Sequence, residues 1–427
     1  MLPLLIPISS LLLSDALLLI GHGLLLTLLP IIASNSGFSD TQVALTGSAY
    51  FIGFVLGCLA TPYMVKRVGH IRSFAVLATL YSAIVLVFPL LPEFYSWMLL
   101  RLILGGSVSG LYMIIESWLN ERASVGNRGT ILSIYTMLSL LMMMVGQQLL
   151  NIPGITNQHL FTLATVLVSL AIIPVSLTLS LAPAPLQAVK ISLPKIWRHS
   201  HIGLIGAVVF GLVNGAFWAL APVYARQSGF DTFQLSMLMS VSVLGGALFQ
   251  LPLGRLSDRM DRRIVLIAGA LVGSAISLGF VVLPMVVTVV ENWMIAALAF
   301  VWGGAAMTQY SISLAHANDN APAEDFVEIG SGMLLTVGIF SALGAPLASL
   351  TMTLMGPSGL YAFAAACLTA FAVITLLRWQ SHTVEIPAEG HEHFRTVAAM
   401  VTPTAYEMDP RTEEEREDES AKNSDAA

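Results

Sequence analysis

Charge is what this sequence is short of. Of 427 residues only 10% are Asp, Glu, Lys or Arg, against about 25% in an ordinary soluble domain, which excludes a soluble enzyme. The few basic residues form no cluster interleaved with aromatics, so a nucleic-acid face is excluded too. There are two cysteines, Cys58 and Cys367. Each lies inside an apolar run, so neither a disulfide nor a thiolate metal site is expected. The Gly-x-x-x-x-Gly-Lys-Ser/Thr phosphate loop is missing, which argues against ATP-driven transport by this chain. Neither Gly-x-Ser-x-Gly nor His-Glu-x-x-His occurs, so no hydrolase is expected, and no cofactor is implied. The first apolar segment has no basic leader or small-residue cleavage site and reads as a membrane span, not a signal peptide.

What the chain has in abundance is apolar sequence, 56% of its residues. A bilayer core of about 30 Å needs about 20 mostly apolar residues per helix. Breaks at charged or Pro/Gly/Asn-rich stretches predict twelve such helices: 8–32, 42–65, 73–91, 96–119, 130–151, 159–181, 202–225, 233–256, 264–285, 292–317, 328–352 and 359–379. Runs such as Leu11–Leu13, Leu17–Ile20 and Leu138–Val145 are apolar on every side, which a β-barrel strand would not be. The solvent for most of the chain is lipid.

Lys and Arg fall on one side of this layout. The turns after spans 2, 4, 6 and 8, with Arg255 and Arg378 at the ends of spans 8 and 12, hold thirteen of them, and the turns between the others hold only Arg226. The rule that basic loops stay inside then places both termini in the cytoplasm, and the expected location is the cell inner (cytoplasmic) membrane. The net charge of −6 belongs to the end of the chain, because residues 1–380 carry +2 and residues 381–427 carry −8.

The sequence also repeats itself. Laid over residues 215–259, residues 23–67 give thirteen identities without a gap, among them Pro30/Pro222, Ser36/Ser228, Gly37/Gly229, Phe38/Phe230 and Gln42/Gln234. At a shift of 198, Gly105-Gly106 matches Gly303-Gly304, Tyr112 matches Tyr310, Asn120 matches Asn318 and Glu121 matches Asp319. The expected organisation is therefore an all-α membrane protein of two pseudo-symmetric six-helix bundles, 1–181 and 202–380, joined by a cytoplasmic linker, 182–201. Residues 381–427, which end in the acidic run Glu413–Glu419, are expected to be an unstructured cytoplasmic tail. His391 and His393 in that tail read as solvated residues and not as a ligand pair.

Two parallel six-span halves are a known transporter plan, with the substrate site at the midplane between them. Residues Gly254-Arg255-Leu256-Ser257-Asp258-Arg259-Met260-Asp261-Arg262-Arg263 resemble the signature loop of the major facilitator superfamily, Gly-x-Leu-Ser-Asp-Arg-x-Gly-Arg-Arg, with Asp261 in place of the second glycine. The first-half copy is degraded to Lys66-Arg67-Val68-Gly69-His70. Arg101-Leu102-Ile103-Leu104-Gly105 resembles the family's Arg-x-x-Gln-Gly motif, with Leu104 in place of Gln. The stretches Glu116–Arg122 and His316–Asp319 are similar to a bacterial branch of the same superfamily. The antiporter signature of span 5, a Gly-Pro followed by paired glycines, is absent from Met142–Gln148, which lowers the standing of drug–proton antiport.

Ionisable groups in a helix centre cost roughly 2.5–3.5 kcal/mol on insertion scales, so each needs a reason. Asp15, Arg101 and Glu116 stand out, and their repeat counterparts are Ala207, Ala299 and Leu314. Asp15 and His22 share a helix face about 10 Å apart along the axis. Arg101, Gly105, Tyr112 and Glu116 form a stripe on span 4. The resemblance implies that both spans line a central cavity. Asp15 and Glu116 are expected to carry protons, assisted by His22, and Arg101 to serve as counter-charge or anion anchor. Structural alternatives stand beside these roles. Asp15 is read alternatively as a solvated helix-end acid, Glu116 as a partner of Arg122 or Arg128, Arg101 as a tie between spans and His22 as a hydrogen-bonded core residue. Tyr112, Gln147, Asn214, Trp218, Gln309, Tyr310 and His316 are expected to line the cavity.

The resembled loop also implies a cytoplasmic gate. Asp258 would approach the start of span 5, Arg259 or Arg262 would pair with Asp319, the counterpart of Glu121, and Lys66 or Arg67 would bridge to Glu328. The expected function is a secondary active transporter, a monomer, moving a small organic solute by alternating access with proton coupling. The alternatives are efflux of lipophilic compounds, or a membrane receptor or scaffold acting through the acidic tail.

Overall fold

The computed structural model describes residues 8–123, 127–177, 192–286, 290–319, 321–322, 325–381 and 402–408. Among them are twelve helices long and apolar enough to cross a bilayer: α1 (Ser9–Asn35), α2 (Asp40–Val68), α3 (His70–Leu90), α4 (Phe94–Arg122), α5 (Arg128–Asn151), α6 (Asn157–Ser176), α7 (His201–Gln227), α8 (Thr232–Arg259), α9 (Arg262–Leu283), α10 (Asn292–Asn318), α11 (Phe326–Met355) and α12 (Gly359–Trp379). α10 is interrupted at Met307 and Thr308, between Ala306 and Gln309. The linker is helical over Leu193–His199.

The sequence repeat has a local structural cause. After α1 and again after α7, the shared Ser-Gly-Phe turns the chain: Gly37 and Gly229 take φ of 87° and 82°, and the N–H of Phe38 and Phe230 return to the carbonyls of Ala33 and Ala225. A left-handed residue of this kind is the usual way to stop a helix, and glycine adopts it without strain. The next helix then starts on a capping box in both halves, Ser39 with Gln42 and Asp231 with Gln234. The matched glutamines are therefore N3 caps.

Packing repeats as well. In lipid, helices associate through close contact and not through burial from water. A Cβ on Gly53 would lie 1.9 Å from the carbonyl oxygen of Leu102, and one on Gly105 would lie 2.0 Å from that of Tyr50. Their counterparts Gly245 and Gly303 would meet Phe300 and Ser242 at 2.0 and 1.9 Å. Thus α2 locks on α4 as α8 does on α10. Gly23 and Gly146 likewise join α1 to α5, and Gly215 and Gly344 join α7 to α11.

Hydrogen bonds join the halves at the end away from the charged turns. Gln227 donates to Asp40, Ser48 to the carbonyl of Ala342 at 2.5 Å, Gln148 to Ser240 at 2.7 Å and Asn151 to Ser236 at 2.7 Å. On the charged side a different element lies between the halves. Residues 402–408, expected to be unstructured, form a short 3-10 turn, Pro403–Met408, with Thr402, Thr404, Ala405 and Tyr406 at most 4% exposed. Short as it is, the segment places the Thr402 hydroxyl and the Tyr406 phenol against polar partners. His391, His393 and Glu413–Glu419 lie outside the described residues.

Candidate functional site

Three groups of buried polar side chains are built on helices of the amino-terminal half. The first surrounds His22, which is fully buried, with Nδ1 2.9 Å from the hydroxyl of Tyr81 and Nε2 3.1 Å from that of Tyr50. The Arg101 guanidinium carbon stands 5.9 Å from the Tyr50 ring centroid, within cation–π range, and Arg101 Nε has no hydrogen-bond partner. The Tyr112 ring meets His22 edge-on at 6.4 Å, and its hydroxyl is also without a partner. Gln147 is fully buried with neither amide atom bonded. Buried polar groups are ordinarily satisfied, so unpaired donors and acceptors here mark places for water or a solute.

The second group is Asp15. It is fully buried, which overturns its reading as a solvated helix-end acid. Ser139 of α5 donates to Oδ2 at 2.8 Å, and Oδ1 is unpaired. Asp15 and His22 share one helix but different neighbours, so the two do not pair.

The third group surrounds Glu116, also fully buried. Tyr135 donates to Oε1 at 3.2 Å. The Thr402 N–H lies 3.1 Å from each carboxylate oxygen, and the Thr402 hydroxyl donates to Oε2. This corrects the pairing of Glu116 with Arg122 or Arg128: the carboxylate is held by neutral donors, and Arg122 is exposed.

In the other half, Tyr310 is bonded to the Tyr406 hydroxyl. Gln309 donates to the carbonyl of Ala305 at 3.0 Å, leaving its own oxygen unpaired. Trp218 bonds Asn214 one turn away at 3.0 Å, and His316 is half-buried.

The gate residues form contacts on the charged side. Arg262, 1% exposed, donates through Nε to Asp319 Oδ2 at 2.5 Å and through Nη2 to Oδ1 at 3.1 Å. Its Nη1 reaches Asp258 at 3.0 Å and Ser257 at 2.9 Å. Arg259 and Glu121 are exposed. Lys66 and Arg67 are exposed too, and the bridge expected from them to Glu328 is absent. Lys195 of the linker helix takes that place, donating to Glu328 at 3.1 Å and to Asp325. These bonds raise the Lys195 pKa above the usual lysine value. The helix start that was expected to need a first-half cation is thus neutralised by the linker. Asp261, the residue standing where the resembled motif has glycine, bonds the backbone and side chain of Arg263. Partial burial alone would raise its pKa, but the Arg263 bonds and charge outweigh it and hold the carboxyl below its ordinary value.

Tyr50, Tyr81, Tyr135, Ser139, Lys195, Thr402 and Tyr406 were missed from sequence. The signal for Tyr50 was available: its repeat counterpart is Ser242, so it shares the half-specific polarity of Arg101. Among the described residues no three or more His, Cys, Asp or Glu gather as metal ligands.

This geometry can be set against known proteins. MFS-type transporter YcaD of Escherichia fergusonii is 27% identical over 379 residues, 88% of this chain and 97% of that one. YcaD of Salmonella arizonae is 27% identical over 348 residues, 81% of this chain and 89% of its own. Among solved structures, the nucleoside transporter NupG superposes with a TM-score of 0.71 at 14% identity over 88% of this chain and 99% of its own. A bacterial homologue of the human lysosomal transporter Spinster gives 0.66 at 16% identity over 90% of this chain and 96% of its own. The Escherichia coli fucose:proton symporter FucP gives 0.54 at 14% identity, over 88% and 99%. The sequence model of the Major Facilitator Superfamily matches residues 11–234 and again 203–405, and the chain belongs to that superfamily.

Proposed function

We propose that this transporter moves a small polar or anionic organic solute across the cytoplasmic membrane by secondary active transport, with protons as the coupling ion. The observation that carries the reading is the half-specific set of buried ionisable groups. Asp15, Arg101 and Glu116 are each at most 3% exposed, and their repeat counterparts are apolar. A fold that builds the same helix pairs twice does not need these charges for packing, so they serve something the second half does not do. Arg101 offers a planar donor face beside Tyr50, suited to a carboxylate, a phosphate or a ring hydroxyl. Asp15 and Glu116 have hydroxyl and amide donors and no neighbouring cation. Their protonation follows whichever side of the membrane the chamber opens to, and that is the requirement for coupling. NupG and FucP carry a nucleoside and a sugar in their names, which supports polar metabolites as the first solutes to try.

The experiment uses purified protein in liposomes under an imposed pH gradient, supplied with radiolabelled nucleosides, sugars and small carboxylates. Accumulation that needs the gradient, and that loses this need in Glu116→Gln or Asp15→Asn, supports the reading. Accumulation of none of these classes overturns the solute reading, and gradient-driven accumulation that survives both substitutions removes these carboxylates from the mechanism.

A further inference from the structure

We propose that the turn Thr402–Tyr406 is a plug: a segment of the chain's own carboxyl end that binds in the chamber between the two halves on the charged side and must leave before the transporter can complete a cycle. The proposal rests on where the segment sits and on the superfamily's alternating access, so a failure of the solute and proton-coupling reading leaves it standing.

The contacts of the turn come from both halves. In the first, the Thr402 N–H and hydroxyl are given to Glu116 of α4. In the second, the Tyr406 hydroxyl is bonded to Tyr310 of α10, and its ring lies on Gly330 of α11 so closely that a Cβ there would come within 2.8 Å of it. Between these ends, Pro403 forms one wall of a cleft whose other walls are Phe54 and Cys58 of α2 and Ser331 and Leu334 of α11. The segment is thus a wedge between α2 and α4 on one side and α10 and α11 on the other. The halves bond each other directly at the opposite end, through Ser48 with Ala342 and Gln148 with Ser240. Alternating access requires the charged-side ends of the halves to approach while the far ends part. Groups that hold Thr402 and Tyr406 are filled by the turn, and the halves cannot approach through it.

The tether permits this. The helix of α12 continues to Ser381, and the twenty residues 382–401 that separate it from Thr402 are enough to span about 66 Å when extended, so reach does not limit docking. A tether of this length gives an effective concentration of about millimolar, so a turn with only three polar anchors stays seated without high intrinsic affinity. For the same reason it is displaceable by a solute or protein that competes for those anchors.

Cys58, 6% exposed under the plug, reports on it. In a Cys367→Ser background it is the single thiol, and its reaction with N-ethylmaleimide is followed by mass spectrometry on purified full-length protein. Truncation after residue 401 is expected to speed labelling about tenfold, the protection a tethered segment at such effective concentration gives up when removed. Gly330→Leu fills the Tyr406 seat without touching the tail and is expected to do the same. A synthetic peptide of residues 400–410, at millimolar concentration, restores protection to the truncated chain and not to Gly330→Leu. Independently, Pro403→Cys is expected to cross-link to Cys58 on mild oxidation. Labelling that is unchanged or slower on truncation, or absence of the cross-link in full-length protein, overturns the proposal.

Discussion

Nδ1 of His22 lies 2.9 Å from the hydroxyl of Tyr81, and the bond ties α1 to α3 across 59 positions of sequence. The other ring nitrogen is occupied by Tyr50 of α2 at 3.1 Å, so one imidazole joins three helices and must donate on one side and accept on the other. Removing one hydroxyl leaves a buried ring nitrogen without its partner, which costs about 1–3 kcal/mol. Tyr81→Phe is therefore expected to lower the midpoint of thermal unfolding in detergent, and His22→Phe, which strands two phenols at once, to lower it further. Equal midpoints for Tyr81→Phe and the parent protein would show that the bond contributes nothing net.

Arg101 separates charge from shape. Its guanidinium faces the Tyr50 ring, and its Nε is unsatisfied. Arg101→Lys keeps the positive charge but loses the planar fork and the stacking surface, whereas Arg101→Gln loses all three. With an anionic or hydroxylated solute identified by liposome uptake, both variants are expected to fall at least about tenfold in transport, one lost charge-assisted bond being worth about 1.5–3 kcal/mol. Full activity of Arg101→Lys would reduce the side chain to a point charge. Full activity of Arg101→Gln would remove it from solute binding.

The helix pairs make a symmetric prediction. Gly105 and Gly303 occupy equivalent places in the two halves, with room for a Cβ only 2.0 and 1.9 Å from the carbonyls of Tyr50 and Ser242. The carbonyls belong to helix backbone and cannot swing aside, so α4 or α10 has to move off its neighbour. Gly105→Ala and Gly303→Ala are each expected to destabilise by about 1–3 kcal/mol, read as the loss in unfolding midpoint or in detergent-extracted yield. Only Gly105→Ala is expected to disturb solute binding as well, because Tyr50 carries the site in that half alone.

Much of this was legible in the sequence, and the reasons differ by residue. The twelve helices follow from hydropathy, because an apolar run in lipid has no other way to satisfy its backbone. The repeat was visible as matched Gly, Phe and Gln, which the structure explains as a helix stop and a capping box, both local and so written in adjacent residues. The burial of Arg101 and Glu116 could be inferred from charges lacking counterparts. Their partners could not. Tyr81 reaches His22 from another helix, and Thr402 reaches Glu116 from 286 positions away; neither contact leaves a periodicity. The tail was misread because composition averages a few docking residues, Thr402 to Tyr406, into an acidic stretch that has little to bury. The gate was misassigned for the same kind of reason, since Lys195 and Lys66 are equivalent as charges and only the path of the linker decides which one meets Glu328.

Asp261 supplies a test by pH. Its folded-state carboxyl titrates below the ordinary value because of Arg263. A depressed acid stabilises the fold above its unfolded pKa and loses that contribution as pH falls through the folded one. The unfolding midpoint of the parent protein is expected to exceed that of Asp261→Asn at neutral pH, and the two are expected to converge below the ordinary carboxylate range. A gap that persists into that acid range would assign the effect to hydrogen bonding of the side chain in either charge state, and not to its ionisation.

Arg262 is the residue on which the charged-side loop depends most. Its side chain is 1% exposed, as is that of Asp319, and the two are joined through two nitrogens and two oxygens. A third nitrogen serves Asp258 and Ser257. Removing one partner of a buried pair leaves an uncompensated charge, at a cost of about 3–5 kcal/mol, while removing both is far milder. Arg262→Met is therefore expected to be severely destabilising, Asp319→Asn somewhat less so because an amide still accepts one bond, and the double variant to recover much of the loss in thermal unfolding. Arg263→Met, whose parent side chain is more exposed and bonded to the neighbouring Asp261, is expected to cost at most about 1 kcal/mol. If the two arginine variants lost stability equally, the buried fork between α9 and α10 would not be what holds the loop; if the double variant were no better than the sum of the singles, Arg262 and Asp319 would not be acting as a pair.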